Sequence, residues 1–167
     1  MGPRALPVAL ATLAAVAVIP ASTAAPPKGA DFVPGKSLAG VSLGMTKAQV
    51  LAAWGNRHGV CRGCRRETWY FNYRPFTPEG AGVVFQRGKV VHAFTVWRPA
   101  GWRTPAGLVL GAPVSDVSRY YGSLDRRQCT LYSALLAPGK RAQSVFYVFR
   151  DRLWGFGLTR PSASPCL

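Results

Sequence analysis

Acidic residues are what this sequence has least of. Six Asp and Glu stand against 21 Lys and Arg in 167 residues, a formal charge of +15. Asp31, Glu67, Glu79, Asp116, Asp125 and Asp151 place no two carboxylates on one expected strand face, so the paired acids of a glycosidase are not supported. Asp116 suits the first turn of a helix, Asp151 a hairpin turn, and Glu67 an ion pair with Arg65 or Arg66. Histidine is equally sparse. His92 reads as a satisfied core residue, and neither it nor His58 has a sequence partner that would make it a general base. No G-x-S-x-G, H-E-x-x-H or phosphate-cradling glycine loop occurs. The chain is therefore expected to be no enzyme and to hold neither cofactor nor metal. Long apolar runs are also missing: Leu6 to Ile19 is too short to span a bilayer, which takes ~20 residues, and nothing later is longer.

That short run has a different reading. Arg4 precedes it, Pro20 breaks it, and the small residues of "ASTAAPP" follow. This is the pattern of a secretory signal peptide over residues 1–24, cut after Ala24. Residues 25–36 read as a flexible linker. The four cysteines, Cys61, Cys64, Cys129 and Cys166, suit an exported chain with two disulfides. The favoured pairing is Cys61 with Cys64 and Cys129 with Cys166, each within its own half. A redox pair or half a zinc site remain alternative readings of "CRGC". Arg62, Arg65 and Arg66 would favour a thiolate there if the pair were reduced. The excess of arginine attracts anionic partners.

The sequence says one thing twice. "LGMTKAQVLAAWG" (Leu43 to Gly55) recurs as "LGAPVSDVSRYYG" (Leu110 to Gly122), and "VFQRGKVVHAFTVWR" is paralleled by "VFRDRLWGFGLTR". Such self-similarity marks a repeated unit, here 37–100 and 101–167, each a helix followed by a β-meander. Thr46 and Gln49 have capping-box spacing, and Gly55 and Gly122 stop the two helices. In the first unit a turn at Arg87-Gly88 pairs Gln86 with Lys89. Strict alternation then sends His92, Phe94 and Val96 to the helix side, with Val83 and Phe85. In the second unit the strands are expected near 129–136, 143–150 and 152–159. If Phe149 opposes Leu153, Arg150, Arg152, Trp154, Phe156 and Arg160 face outward. A register one residue off would make Trp154 and Phe156 core instead.

The helix of the first copy resembles the G-M-T-x-x-Q/E-V segment of the β-lactamase inhibitor protein family. That family is secreted and built from two tandem copies of a helix-plus-sheet unit, which occurs singly in an outer-membrane-assembly lipoprotein family. The resemblance is specific over Gly40 to Gly55 and looser over Gly107 to Gly122. It implies an α+β fold, with two tandem helix-plus-antiparallel-sheet repeats sharing one curved sheet and the helices packed on one face. It also implies a binding role and leaves the target open. The expectation is a secreted, monomeric, non-catalytic protein that recognises or inhibits a protein partner with an acidic surface. Its expected contact residues are Trp97, Arg150, Arg152, Trp154, Phe156 and Arg160, with Tyr70 and Tyr132, since Trp, Tyr and Arg carry interface hot spots. The alternative is a basic envelope-associated protein that holds anionic cell-wall or membrane polymer. Nucleic acid is not expected, because an exported protein seldom meets it.

Overall fold

The computed structural model describes residues 31–71, 80–96 and 102–167. The expected signal peptide and Trp97 lie outside the described residues. Two short strands come first, β1 (Phe32–Val33) and β2 (Ser37–Leu38). Residues 31–36, expected within a linker, thus form ordered structure. Phe32 is fully buried, with its ring 5.2 Å from that of Phe156.

Helix α1 (Lys47–Trp54) begins where its sequence says it should. Thr46 Oγ1 accepts from the Gln49 amide at 3.2 Å, and Gln49 Oε1 accepts from the Thr46 amide at 2.8 Å. Two otherwise orphaned helix-start donors are thereby satisfied. The helix buries Val50 and Trp54, and the Trp54 indole donates to the Ala39 carbonyl at 2.9 Å. After it come β3 (His58–Val60), β4 (Thr68–Phe71), β5 (Gly80–Gln86) and β6 (Lys89–Val96). Helix α2 (Val114–Tyr121) has no side-chain cap at Pro113, but Asp116 in its first turn pairs with Arg119 at 2.9 Å. The chain closes with β7 (Asp125–Gln128), β8 (Ser133–Ala137), β9 (Gln143–Phe149) and β10 (Arg152–Thr159).

The sheet corrects the expected fold class. All the strands from β3 to β10 join one eight-stranded antiparallel sheet in the order β3-β4-β5-β6-β10-β9-β8-β7. The described structure is 44% strand and 13% helix. It is a mainly β protein, not an α+β fold of two balanced helix-plus-sheet repeats. The eight-residue helices are too short to balance a sheet whose central strands run to eight residues. Both helices pack their apolar sides into one core, with Val50, Trp54 and Val117 against Val83, Phe146 and Phe156.

The expected faces are also corrected, and β-bulges are the cause. Gln86 does oppose Lys89, and Phe85 opposes Val90, but the register then shifts and Val84 opposes His92. Val91 is the extra residue. From there Ala93 joins the helix side, while His92 and Phe94 lie on the opposite, front face with Val84. In the second hairpin the two-residue turn Arg150-Asp151, both at positive φ, sets Phe149 against Arg152 rather than Leu153. A bulge at Trp154 then shifts the pairing to Gly155 with Tyr147 and Phe156 with Phe146. Phe156, expected to face outward, therefore lies with Phe146 and Leu158 on the helix side, where all three are fully buried. Trp154 leaves that set because it is the bulged residue.

Candidate binding face

The front face has a small apolar core of its own. Phe94 and Val96 from β6, Ala134 and Leu136 from β8, and Val145 and Tyr147 from β9 form its floor, with Tyr70, Tyr132 and Trp154 packed on them. Glycines make room for the rings. A Cβ on Gly82 would lie 2.2 Å from Phe94 Cζ, so the ring rests directly on the β5 backbone. Tyr132 stands beside Trp154, with centroids 5.1 Å apart, and edge-on to Tyr147 at 5.7 Å. The Trp154 indole Nε1 is buried with no hydrogen-bond partner among the described residues.

His92 is part of this floor, 4% exposed, and its Nε2 shares a hydrogen bond with the Tyr147 hydroxyl. It is a satisfied buried residue, but on the face opposite to the one expected. Burial first, and the nearby charge of Arg66 second, hold its imidazole down to a pKa of about 3. Burial likewise raises the Tyr147 phenol well above its ordinary value. A neutral imidazole and a neutral phenol make one uncharged hydrogen-bonded pair, the form a low-dielectric site tolerates.

Two disulfides frame the face. Cys61–Cys64 closes the loop between β3 and β4, and Cys129–Cys166 ties residues 161–167 across the sheet. The face is thus less open than expected, because the chain's own last residues cross it. Leu167 donates its amide to the Tyr132 hydroxyl, and that hydroxyl donates to the Leu167 carbonyl at 3.5 Å. Around this crossing lie three cavities. One of about 340 Å³ is lined by Leu131, Phe149 and Trp154, among others. One of about 560 Å³ reaches Val60, Arg62, Tyr70, Tyr132 and Trp154. One of about 620 Å³ reaches Arg65, Arg66, Tyr70 and His92.

Of the expected contact residues, the structure brings Tyr70, Tyr132 and Trp154 together at the 560 Å³ cavity. It does not gather the rest. Phe156 is buried on the helix side. Arg150 is an exposed turn residue whose guanidinium lies over the Phe149 ring. Arg152 donates to the Gly111 carbonyl at 3.1 Å, at the lead-in to α2. Arg160 is half-buried, and its amide closes onto the Val91 carbonyl at 3.1 Å. Glu67 pairs with Lys47 at 2.7 Å rather than with Arg65 or Arg66. That leaves Arg62, Arg65 and Arg66 with no ion-pair partner among the described residues.

The rim was not foreseen. Val60, Leu131 and Leu167 are 56%, 76% and 46% exposed, and each lines at least one of the three cavities. They place three large apolar side chains in water beside the aromatic cleft. The pairing of Cys129 with Cys166 held the available signal, since it obliges residues 161–167 to return to the sheet. Among the described residues, no group of three or more His, Cys, Asp and Glu side chains gathers as metal ligands would.

The two disulfides fit an exported protein. No protein-family model matches the chain, and no curated protein matches it. In three dimensions it is similar to an extracellular protein containing an SCP domain from Bacillus anthracis str. Ames, known from a crystal structure at 1.5 Å resolution. The TM-score is 0.50 and the sequence identity 17%. The match covers 71% of this chain and 44% of that one, so the chain spans less than half the length of that protein. At this identity the likeness concerns the fold alone.

Proposed function

We propose that the chain is an exported, non-catalytic binding protein that recognises an acidic protein surface through the front face of its sheet. The observation that carries this reading is the convergence of Tyr70, Tyr132 and Trp154 on one cavity that Arg62 and the exposed Val60 also line. Aromatic anchors beside unpaired arginines supply the desolvated centre and the polar rim of a protein interface. Export follows from the leader read in residues 1–24, and release into the medium or retention at the cell wall are its two destinations. The resemblance of Gly40 to Gly55 to the β-lactamase inhibitor protein family makes a secreted β-lactamase the first target to assay. Absence of inhibition would remove that target and leave the face.

The deciding experiment is capture of partners from the producing organism's culture fluid and cell wall, with wild type and Trp154→Ala as baits. Truncating a central anchor costs upwards of ~2 kcal/mol, about thirtyfold in affinity. A partner held equally by both baits would refute the site. A second reading, binding to anionic cell-wall polymer, is favoured by the excess of Lys and Arg over six Asp and Glu, which removal of Arg4 with the leader barely alters. Salt separates the two: polymer binding collapses between 50 and 500 mM salt, whereas an interface centred on Trp154 weakens far less.

A further inference from the structure

Leu167 is the one residue that lines all three front-face cavities. The three lie around it as neighbouring parts of one face, apolar at the Leu131 and Phe149 end and arginine-lined at the Arg65 and Arg66 end. Among the described residues, no Asp or Glu lines any of the three. Leu167 is lightly held: it is 46% exposed, and its polar contacts among the described residues are both to the Tyr132 hydroxyl. The Cys129–Cys166 disulfide anchors the segment one residue earlier, so displacing the Leu167 side chain leaves residues 161–166 tethered to the sheet.

Resting on the binding-face reading above, we propose that residues 161–167 are the chain's own stand-in for a peptide ligand, which an extended acidic segment of the partner displaces at Leu167. The contact already made is peptide recognition. Tyr132 satisfies both the amide and the carbonyl of Leu167, as it would any residue lying there in an extended backbone. The apolar anchor of the incoming segment takes the place of the Leu167 side chain against Tyr132. Its carboxylates reach Arg62, Arg65 and Arg66, which have no ion-pair partner among the described residues. An anionic lipid would also present an apolar body and a charged head, but it has no backbone amide for Tyr132 to accept from.

The test is fluorescence anisotropy of the labelled, end-capped peptide Glu-Glu-Leu-Glu-Glu on the full chain with both disulfides formed. Leu167→Gly removes the competing side chain and keeps the backbone contact. If the stand-in occupies its site about nine-tenths of the time, that variant binds the peptide more tightly, by up to about tenfold. Tyr132→Phe binds it more weakly than wild type, and a Gly-for-Leu peptide binds all forms more weakly. Leu167 is exposed, so an unchanged urea midpoint is expected and verifies that Leu167→Gly is folded. Binding by Leu167→Gly that is unchanged or weaker would overturn the proposal, and so would binding of phosphatidylglycerol vesicles in place of the peptide. Loss of partner capture by Trp154→Ala, together with no gain in Leu167→Gly, would sink the stand-in and keep the binding face. Capture unaffected by Trp154→Ala would sink the binding face itself.

Discussion

Acidification should destabilise this protein before its carboxylates titrate, and His92 is the reason. Its imidazole has an ordinary pKa near 6.5 in an unfolded chain and one of about 3 in the fold. Between those values the unfolded chain binds a proton that the folded chain refuses, so stability rises with pH across the window. The contribution is fully present above pH ~6.5 and drains away as pH falls toward 3. Each pH unit inside the window is worth about 1.4 kcal/mol, which gives a loss of about 2 kcal/mol between pH 7 and pH 5. Tyr147, its hydrogen-bond partner, is raised rather than lowered and stays protonated throughout. Glu67 is lowered from 4.5, so the stability it contributes is lost below pH 4.5, outside the interval. Urea unfolding at pH 5 and pH 7, on wild type and His92→Gln, measures the difference. The wild type should lose about 2 kcal/mol and the variant almost none of it. Equal losses in both would refute the reasoning, because they would place the proton somewhere other than on His92.

The remaining predictions concern packing, crosslinks and processing. Gly82→Ala puts a methyl group where the Phe94 ring rests and should cost about 1–3 kcal/mol in denaturant unfolding, through overpacking. Removing the Cys129–Cys166 crosslink, with its sequence separation of 37, should cost about 3–4 kcal/mol. Removing Cys61–Cys64, with a separation of 3, should cost less because so short a loop confines the unfolded chain little. Thr46→Ala loses the side-chain half of the capping box and should lower stability by about 1 kcal/mol, with reduced exchange protection at the Gln49 amide. Protein recovered from the medium should begin at Ala25 by amino-terminal sequencing, and a sequence beginning at Met1 would refute the leader.

Local signals in the sequence were legible and long-range ones were not. Thr46, Gln49 and Gly55 state the bounds of α1 because caps act within one turn. The Arg87-Gly88 turn fixes Gln86 opposite Lys89 for the same reason. Both cysteine pairs follow from sequence proximity and shared halves. Alternation failed where a single inserted residue reversed it, at Val91 and at Trp154. The bulge at Val91 has no composition cue, being an ordinary apolar residue in an apolar run, whereas the one at Trp154 is followed by Gly155, a residue that often marks a bulge inside a strand. The choice of face failed for a related reason. Phe146 and Phe156 do pair and share a face, but pairing alone does not say on which side the helices lie. The glycines opposite them did carry that information. Gly155 and Gly157 leave the front of β10 nearly bare, so its bulky residues must fill the core on the other side. The aromatic site survived the error because Trp154 sits on the bulge and Tyr70 and Tyr132 come from other segments.

The middle of the sheet imposes an order of events on synthesis. β6 finds its second neighbour only in β10, more than fifty residues later in the chain. Contacts so distant in sequence form late, after the loop between them has been closed. Until then the emerging chain can fold β3 to β6 and α1, yet β6 is left as a terminal strand reading "KVVHAFTV", with neither proline nor acid to discourage pairing with a stranger. A nascent or partly translocated chain therefore carries a sticky border that the finished protein conceals. Keeping that border from meeting its like before β10 arrives is a task for chaperones rather than for the fold.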